Sequence, residues 1–281
     1  MVKHDAALRL RATPRVLSIA GTDPTGGAGI QADLKSIAAN GGYGMAVVTA
    51  LVAQNTRGVR AVHVPPVAFL REQLDAVSDD VEIDSVKIGM LADLAVIDEV
   101  RSWLQGTCPP LVVLDPVMVA TSGDRLLEES AEEAMRRLVP LVDLVTPNLA
   151  ELAVLLREEI APDWASALGQ GKRLSQSAGV TVLVKGGHLA GDECPDALID
   201  THGALADTVV EFVSKRVVTR NTHGTGCSLS SAMATVQAQT GDWAASLSQV
   251  KAWLDDALAH SDLLEVGGGN GPIHHFHRFF D

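Results

Sequence analysis

Six short apolar runs, at residues 16–20, 45–52, 86–89, 111–114, 141–146 and 181–184, constrain this chain more than any other feature. Runs of this length, bounded by glycine, proline and polar residues, read as strands, and helix-period segments lie between them. The first helix is expected over 30–39, closed by Asn40, Gly41 and Gly42 as a C-cap. Others are expected from the Pro65-Pro66 pair to 77, after Asp93 as N-cap, over 162–178, over 225–239 and over 243–264. Strand alternating with helix along nearly the whole length predicts one α/β domain, a mostly parallel, doubly wound central sheet covered by helices on both faces. Residues 59–64, 196–199 and 208–213 are expected as small peripheral antiparallel strands. There is no linker, repeat or composition shift, so the expectation is a short tail over 1–15 and a single domain over 16–281.

The hydrophobic share of 47% suits a full-sized core. No apolar run reaches the roughly 18–20 residues that span a bilayer. The tail carries Lys3, Arg9, Arg11 and Arg15 without a continuous apolar core, which reads as a tail and not as a signal peptide. A net charge of −13 opposes binding to nucleic acid or to an anionic membrane. An anionic substrate would therefore need a local positive site. Cys108, Cys194 and Cys227 lie in unrelated contexts with no CxxC spacing, which points to a reducing, cytoplasmic compartment.

In a doubly wound sheet the carboxyl ends of the strands form one ligand-binding edge. The residues there are Gly21 with its glycine-rich loop, Gln54 and Asn55, Met90, Asp115, Asn148 and Lys185. The loop after the first strand does not follow GxGxxG, and no GxxxxGK[ST] occurs, so neither a dinucleotide fingerprint nor a P-loop is present. Asp33, one to two turns into the first helix, either reaches a ligand from below or is a solvated helix carboxylate. Asn148 and Glu151 have the spacing of a capping box. Residues 221–228, Asn-Thr-His-Gly-Thr-Gly-Cys-Ser, lead into a helix start. Gly224, Thr225 and Gly226 there either cradle an anion on exposed N–H groups or only turn the chain. Cys227 at such a place should have its thiolate favoured. The set combines carboxylates, amides, an ammonium and an anion-binding helix start, with no Ser/His/Asp set and no metal cluster. That matches phosphoryl transfer: Lys185 neutralises charge, and Asp115 and Glu151 act on Mg²⁺ through water.

Six segments carry a resemblance that covers residues 16 to 276: the loop 21–33, Lys87-Ile88-Gly89-Met90, Asp115-Pro116-Val117-Met118, Thr146 to Glu151, Lys185-Gly186-Gly187-His188 and Asn221 to Cys227. Together they resemble the hydroxymethylpyrimidine/phosphomethylpyrimidine kinases of thiamine biosynthesis, in the ribokinase-like superfamily. The resemblance implies two ATP- and Mg²⁺-dependent phosphorylations of a small-molecule pyrimidine, first at its hydroxymethyl group and then on the monophosphate. It also implies a homodimer. Gln54 and Asp33 would bind the aminopyrimidine, with Gly21, Met90 and Val117 around the ring. Asn148, Lys185, Thr222 and Gly224 would bind the nucleotide, and Asp115 and Glu151 the metal. Cys227 stands where sugar kinases of the superfamily carry an aspartate base.

Three other readings compete. Pyridoxal kinases share the superfamily, and a non-catalytic nucleotide or pyrimidine sensor could use the same scaffold; the presence of Asp115, Glu151, Lys185 and Cys227 opposes the latter. A dinucleotide-dependent oxidoreductase lacks its glycines. His223 either orients the anion loop or is a plain turn residue. His274, His275 and His277 read as a packed or solvated tail rather than a metal site, and Cys108 and Cys194 as ordinary loop residues.

Overall fold

The structure, a computed structural model, describes residues 8–118, 131–187, 189–205 and 207–279. His188, in the glycine motif after Lys185, and residues 1–7 of the tail lie outside the described residues. The strands of the main sheet are β1 (Arg15–Ala20), β2 (Tyr43–Val48), β5 (Ser85–Ile88), β6 (Val112–Leu114), β7 (Leu144–Val145), β8 (Thr181–Lys185), β9 (Glu193–Ile199) and β10 (Val209–Lys215). Their spatial order is β10-β9-β8-β7-β6-β5-β1-β2. Every neighbour from β2 to β8 is parallel, and β9 and β10 are antiparallel additions at one edge. A separate two-stranded antiparallel hairpin is formed by β3 (Leu51–Asn55) and β4 (Gly58–His63).

The helices are α1 (Gly29–Ala39), α2 (Val67–Ser78), α3 (Leu94–Thr107), α4 (Glu132–Leu138), α5 (Leu149–Leu156), α6 (Trp164–Ala178), α7 (Thr225–Thr240) and α8 (Trp243–Ala259). Successive strand residues point to opposite faces, and each face has its own core. Leu17, Ile19, Val86, Ile88, Val112 and Leu114 pack with α2 to α6. Val16, Leu111, Val113, Leu144 and Leu183 pack with α1, α7 and α8. Two buried layers on one twisted sheet give the expected three-layer α/β/α architecture.

Helix starts follow the sequence closely. Asp93 caps α3 by accepting from the Val96 N–H at 2.9 Å. Asn148 and Glu151 form the capping box of α5. Three boundaries depart from expectation. The apolar run 45–52 is broken at Thr49 and Ala50: the Thr49 hydroxyl donates to the Met90 carbonyl at 2.6 Å, and the Thr22 N–H donates to the Ala50 carbonyl at 2.9 Å. These contacts end β2 and turn the chain off the sheet, so Gln54 lies inside β3 and not just past a sheet strand. The run 141–146 contributes only Leu144 and Val145 to the ladder, because Pro140 helps set a 3₁₀ turn over Val139–Leu141 before it. The last long helix stops at Ala259, and a 3₁₀ turn (Ser261–Leu264) takes over.

Candidate active site

The strand order places β2 and β5 on either side of β1, so the chain reverses its winding direction between β1 and β5. A crevice opens outside the carboxyl ends of strands at such a point. Gly21 and Met90 sit there: a Cβ on Gly21 would meet the Met90 sulphur at 3.1 Å and a Val52 methyl at 3.7 Å. Met90, Val52, Ala50 and Ala92 form a small apolar cluster against which Val117 and Val59 pack. Three of the residues expected around a ring (Gly21, Met90 and Val117) are thus brought together. Val52 joins them unannounced by the sequence. Gln54, two residues beyond Val52 on β3, supplies a half-buried amide.

Helix α7 lies across β1, β5 and β6, which aims its N-terminus at the same edge. Gly224 is the N-cap with φ of 77°, and no side chain caps the helix. A Cβ at Gly224 would overlap the Gly27 carbonyl, so only glycine lets the two loops close on each other. The first-turn N–H groups of Gly226 and Cys227 precede the first residue that can bond within the helix. They carry its positive dipole end.

Beside this helix start stands a charge cluster. A Cβ on Gly226 would lie 3.4 Å from Lys185 Nζ and 3.5 Å from Asp115 Oδ2. Lys185 Nζ is 2.9 Å from Asp115 Oδ1 and 4.0 Å from Glu151 Oε2. Thr146 donates to Asp115 Oδ1 at 3.0 Å, and the Asn148 N–H donates to Glu151 Oε2 at 2.8 Å. Burial pushes the Asp115 carboxyl up, but the Lys185 and Lys87 ammonium groups more than offset it and hold it below the usual carboxylate range. Glu151 goes the other way. Burial pushes its carboxyl up to about 7; Lys185 pulls against that, and the Asp115 charge adds to the rise. Two buried carboxylates around one ammonium leave the cluster short of positive charge.

Two expectations are corrected by the geometry. The thiolate of Cys227 is not favoured: burial pushes the thiol up to about 11, with Asp33 and Asp115 adding to the rise and Lys87 and the Gly29 N–H opposing it. The desolvation of a half-buried thiol outweighs the helix start. Asp33 is neither solvated nor in the lining of the hollow. It is fully buried beneath Cys227's helix, where Ser18 donates to Oδ2 at 2.6 Å, Ser231 donates to Oδ1 at 2.8 Å and Lys87 Nζ lies 2.7 Å away.

Other residues of the site left little trace in the sequence. The buried Asp23 carboxylate accepts from the Gly27 N–H at 3.1 Å, the Ala28 N–H at 2.8 Å, and the Thr25 N–H and hydroxyl, which folds the glycine-rich loop around it. His223 Nε2 is 2.8 Å from the same carboxylate, so His223 joins the two loops and is not a plain turn residue. Burial pushes Asp23 up, but His223 and Thr25 more than compensate and leave it strongly acidic. Asp196 on β9 accepts from the Gly186 N–H at 3.2 Å and pairs with Lys251, fixing the chain just beyond Lys185. A cleft of about 820 Å³ opens next to Thr222, lined by Val218, Asn221, Asp262, Val266 and Gly267 among others. His275 is packed in the second core, its ring nitrogen 2.9 Å from the Ser228 hydroxyl in the first turn of α7.

An uncapped helix start, a buried lysine between two carboxylates and a doubly wound sheet define the class as ribokinase-like. The sequence family described as phosphomethylpyrimidine kinase matches residues 23–274. The chain belongs to that family. It is 49% identical over 265 residues to the hydroxymethylpyrimidine/phosphomethylpyrimidine kinase of Escherichia coli, covering 94% of this chain and 98% of that one. It is 54% identical over 264 residues to a thiamine biosynthesis multifunctional protein of Corynebacterium glutamicum, covering 94% of this chain but 34% of that protein. The chain thus spans about a third of the length of that multifunctional relative. Among solved structures, the ADP complex of Bacillus subtilis pyridoxal kinase superposes with a TM-score of 0.85 at 28% identity, over 96% of this chain and all of that one.

Proposed function

We propose that this chain transfers the γ-phosphoryl group of ATP to the hydroxymethyl oxygen of 4-amino-5-hydroxymethyl-2-methylpyrimidine, and then phosphorylates the resulting monophosphate. The observation that carries this reading is the uncapped start of α7 at Gly224–Cys227, with Gly226 against the Lys185–Asp115 pair. The pyrimidine ring would lie in the hollow of Gly21, Val52, Met90 and Val117, with the Gln54 amide reading its polar edge. The nucleoside would occupy the cleft beside Thr222, leaving its phosphates to run past Asn148 and Lys185 toward Gly224. Phosphoryl transfer asks mainly for positioning and for charge stabilisation, and Lys185 with the N–H groups of Gly226 and Cys227 supplies both.

The donor set fits Mg²⁺. Asp115 and Glu151 are hard oxygen ligands in a cluster short of positive charge, and one oxygen of each is already hydrogen-bonded within the protein. Two carboxylates with water and substrate phosphates are the ligands this ion takes in kinases. Bound there, it would neutralise charge on the phosphate oxygens. Asp33 on this reading supports the floor of the site from beneath, through Ser231 of α7 and Lys87 of β5.

The whole of 16–281 serves as one kinase domain in this reading. Exposed Leu51 and Val62 on the hairpin offer apolar surface to a second copy, as a homodimer requires. Three free thiols suit a cytoplasmic setting. The test is an assay of purified protein with ATP, Mg²⁺ and three acceptors: the free pyrimidine, its monophosphate and pyridoxal. ADP release with both pyrimidines is expected. Turnover of pyridoxal alone favours the second reading, to which the shared scaffold of the Bacillus subtilis enzyme lends weight. No turnover with any acceptor returns the chain to a binding role.

A further inference from the structure

The hairpin that carries Gln54 does not end in solvent. Its tip, Thr56 and Arg57, lies on the glycine-rich segment 267–271. The Asn270 N–H donates to the Thr56 carbonyl at 2.8 Å, and the Gly269 N–H donates to the Thr56 hydroxyl at 3.1 Å. A Cβ on Gly267 or Gly269 would overlap Thr56, and one on Gly268 would lie 3.0 Å from the Arg57 guanidinium. The glycines are what allow the tip to dock.

The other side of the same segment touches the anion loop. Asn270 Oδ1 accepts from the Thr222 N–H at 3.1 Å and from the Thr222 hydroxyl at 3.3 Å. The His223 N–H donates to the Gly271 carbonyl at 3.0 Å. Val266 and Gly267 also wall the 820 Å³ cleft. Asn270 therefore holds the hairpin tip through its backbone and the nucleotide side through its side chain.

We propose that Thr56 and Asn270 are positioning residues that couple the two substrate sites, so that a nucleotide in the cleft fixes the hairpin over the pyrimidine. The inference rests on the kinase reading above. Its physical basis is the order of a segment in which Gly267, Gly268, Gly269 and Gly271 lose more backbone freedom than other residues would on becoming fixed. Whichever ligand orders the segment first spares the second that cost, which is positive coupling without a new contact between the ligands. Linkage makes the effect reciprocal: the pyrimidine tightens nucleotide binding by the same factor.

Calorimetric titration of the free pyrimidine, alone and with a non-hydrolysable ATP analogue, tests the coupling. In the wild type the analogue is expected to tighten the pyrimidine Kd by about fivefold or more. In Thr56→Ala and in Asn270→Ala that ratio should fall toward one, and Thr56→Ser, which keeps the hydroxyl, should restore it. A purely structural role would lower the melting temperature and leave the ratio intact, so melting is recorded for each variant. Wild-type ratios in both alanine variants overturn the coupling while leaving the kinase reading in place. A wild-type protein that binds both ligands with no ratio overturns it too. A wild type that binds neither ligand overturns the kinase reading and the coupling with it.

Discussion

At the scale of single residues, Cys227 and Glu151 are two groups of the site that are shifted toward the protonated form. Cys227 holds its proton at neutral pH, because burial pushes the thiol up to about 11. In a loose phosphoryl transfer the acceptor's proton can leave late, so such a thiol still acts as a base only through its small ionised fraction. The first phosphorylation should then speed up as pH rises above 7, whereas the second, whose acceptor is already a phosphate oxygen, has no proton to lose. Cys227→Ser is expected to slow the first step more than the second and to flatten its alkaline rise. Equal losses in the two steps, measured separately, would assign Cys227 to the shape of the anion site alone. Glu151 gives a pH signature of the opposite kind. Its carboxyl titrates near 7 when folded against an ordinary 4.5, so the folded state binds the proton more tightly than the unfolded one. Its favourable contribution is complete below 4.5 and is lost as pH rises to about 7. Glu151→Gln keeps the neutral form at all pH values. The melting temperature of Glu151→Gln relative to wild type should therefore be higher at pH 8 than at pH 5, in the absence of nucleotide and Mg²⁺. An offset that does not change with pH contradicts the elevated titration.

At the scale of elements, what could be read from the sequence was whatever is decided locally. Strands such as β6 and β8 are legible because both their faces are buried, so the runs 112–114 and 182–184 are wholly apolar. Helix starts are legible where the cap lies within three residues, as with Asp93 and Val96 or Asn148 and Glu151. Gly224 and Gly226 announced the start of α7 for the same reason. The break between β2 and β3 was not legible, since the run 45–52 is apolar but for Thr49, a good strand residue, and Thr49 ends the strand only by bonding to Met90, 41 residues away. Asp23 and His223 meet across a separation of 200 residues, and nothing near either predicts the other. A separation of 213 residues likewise hid the docking of Thr56 on Gly269. The expected thiolate failed for a related reason: the helix start is local, but the burial that outweighs it comes from the surrounding fold.

At the scale of the whole molecule, the buried pair of Lys87 and Asp33 ties the central crevice together. Lys87 sits on β5, Asp33 on α1, and the carboxylate also takes hydrogen bonds from Ser18 of β1 and Ser231 of α7. These four elements meet at the reversal of the sheet, and both charged side chains have no exposed surface. An ion pair out of contact with water contributes little net stability compared with an apolar pair, but removing one partner strands the other charge. The pair therefore fixes how α1 and α7 seat against β1 and β5, on the face beneath Cys227, at little gain in stability. Lys87→Met should destabilise the fold by about 3–5 kcal/mol in urea unfolding, because the Asp33 carboxylate is left without its cation. Asp33→Asn in the same chain removes that charge while keeping a side chain that can meet Ser18 and Ser231, and should recover most of the loss. Activity need not return with stability. In the double variant Cys227 loses the cation that draws its pKa down and the anion that pushes it up, and the seating of α7 no longer has a charge pair to hold it. A double variant no more stable than Lys87→Met alone would mean that the lysine's packing matters and its charge does not.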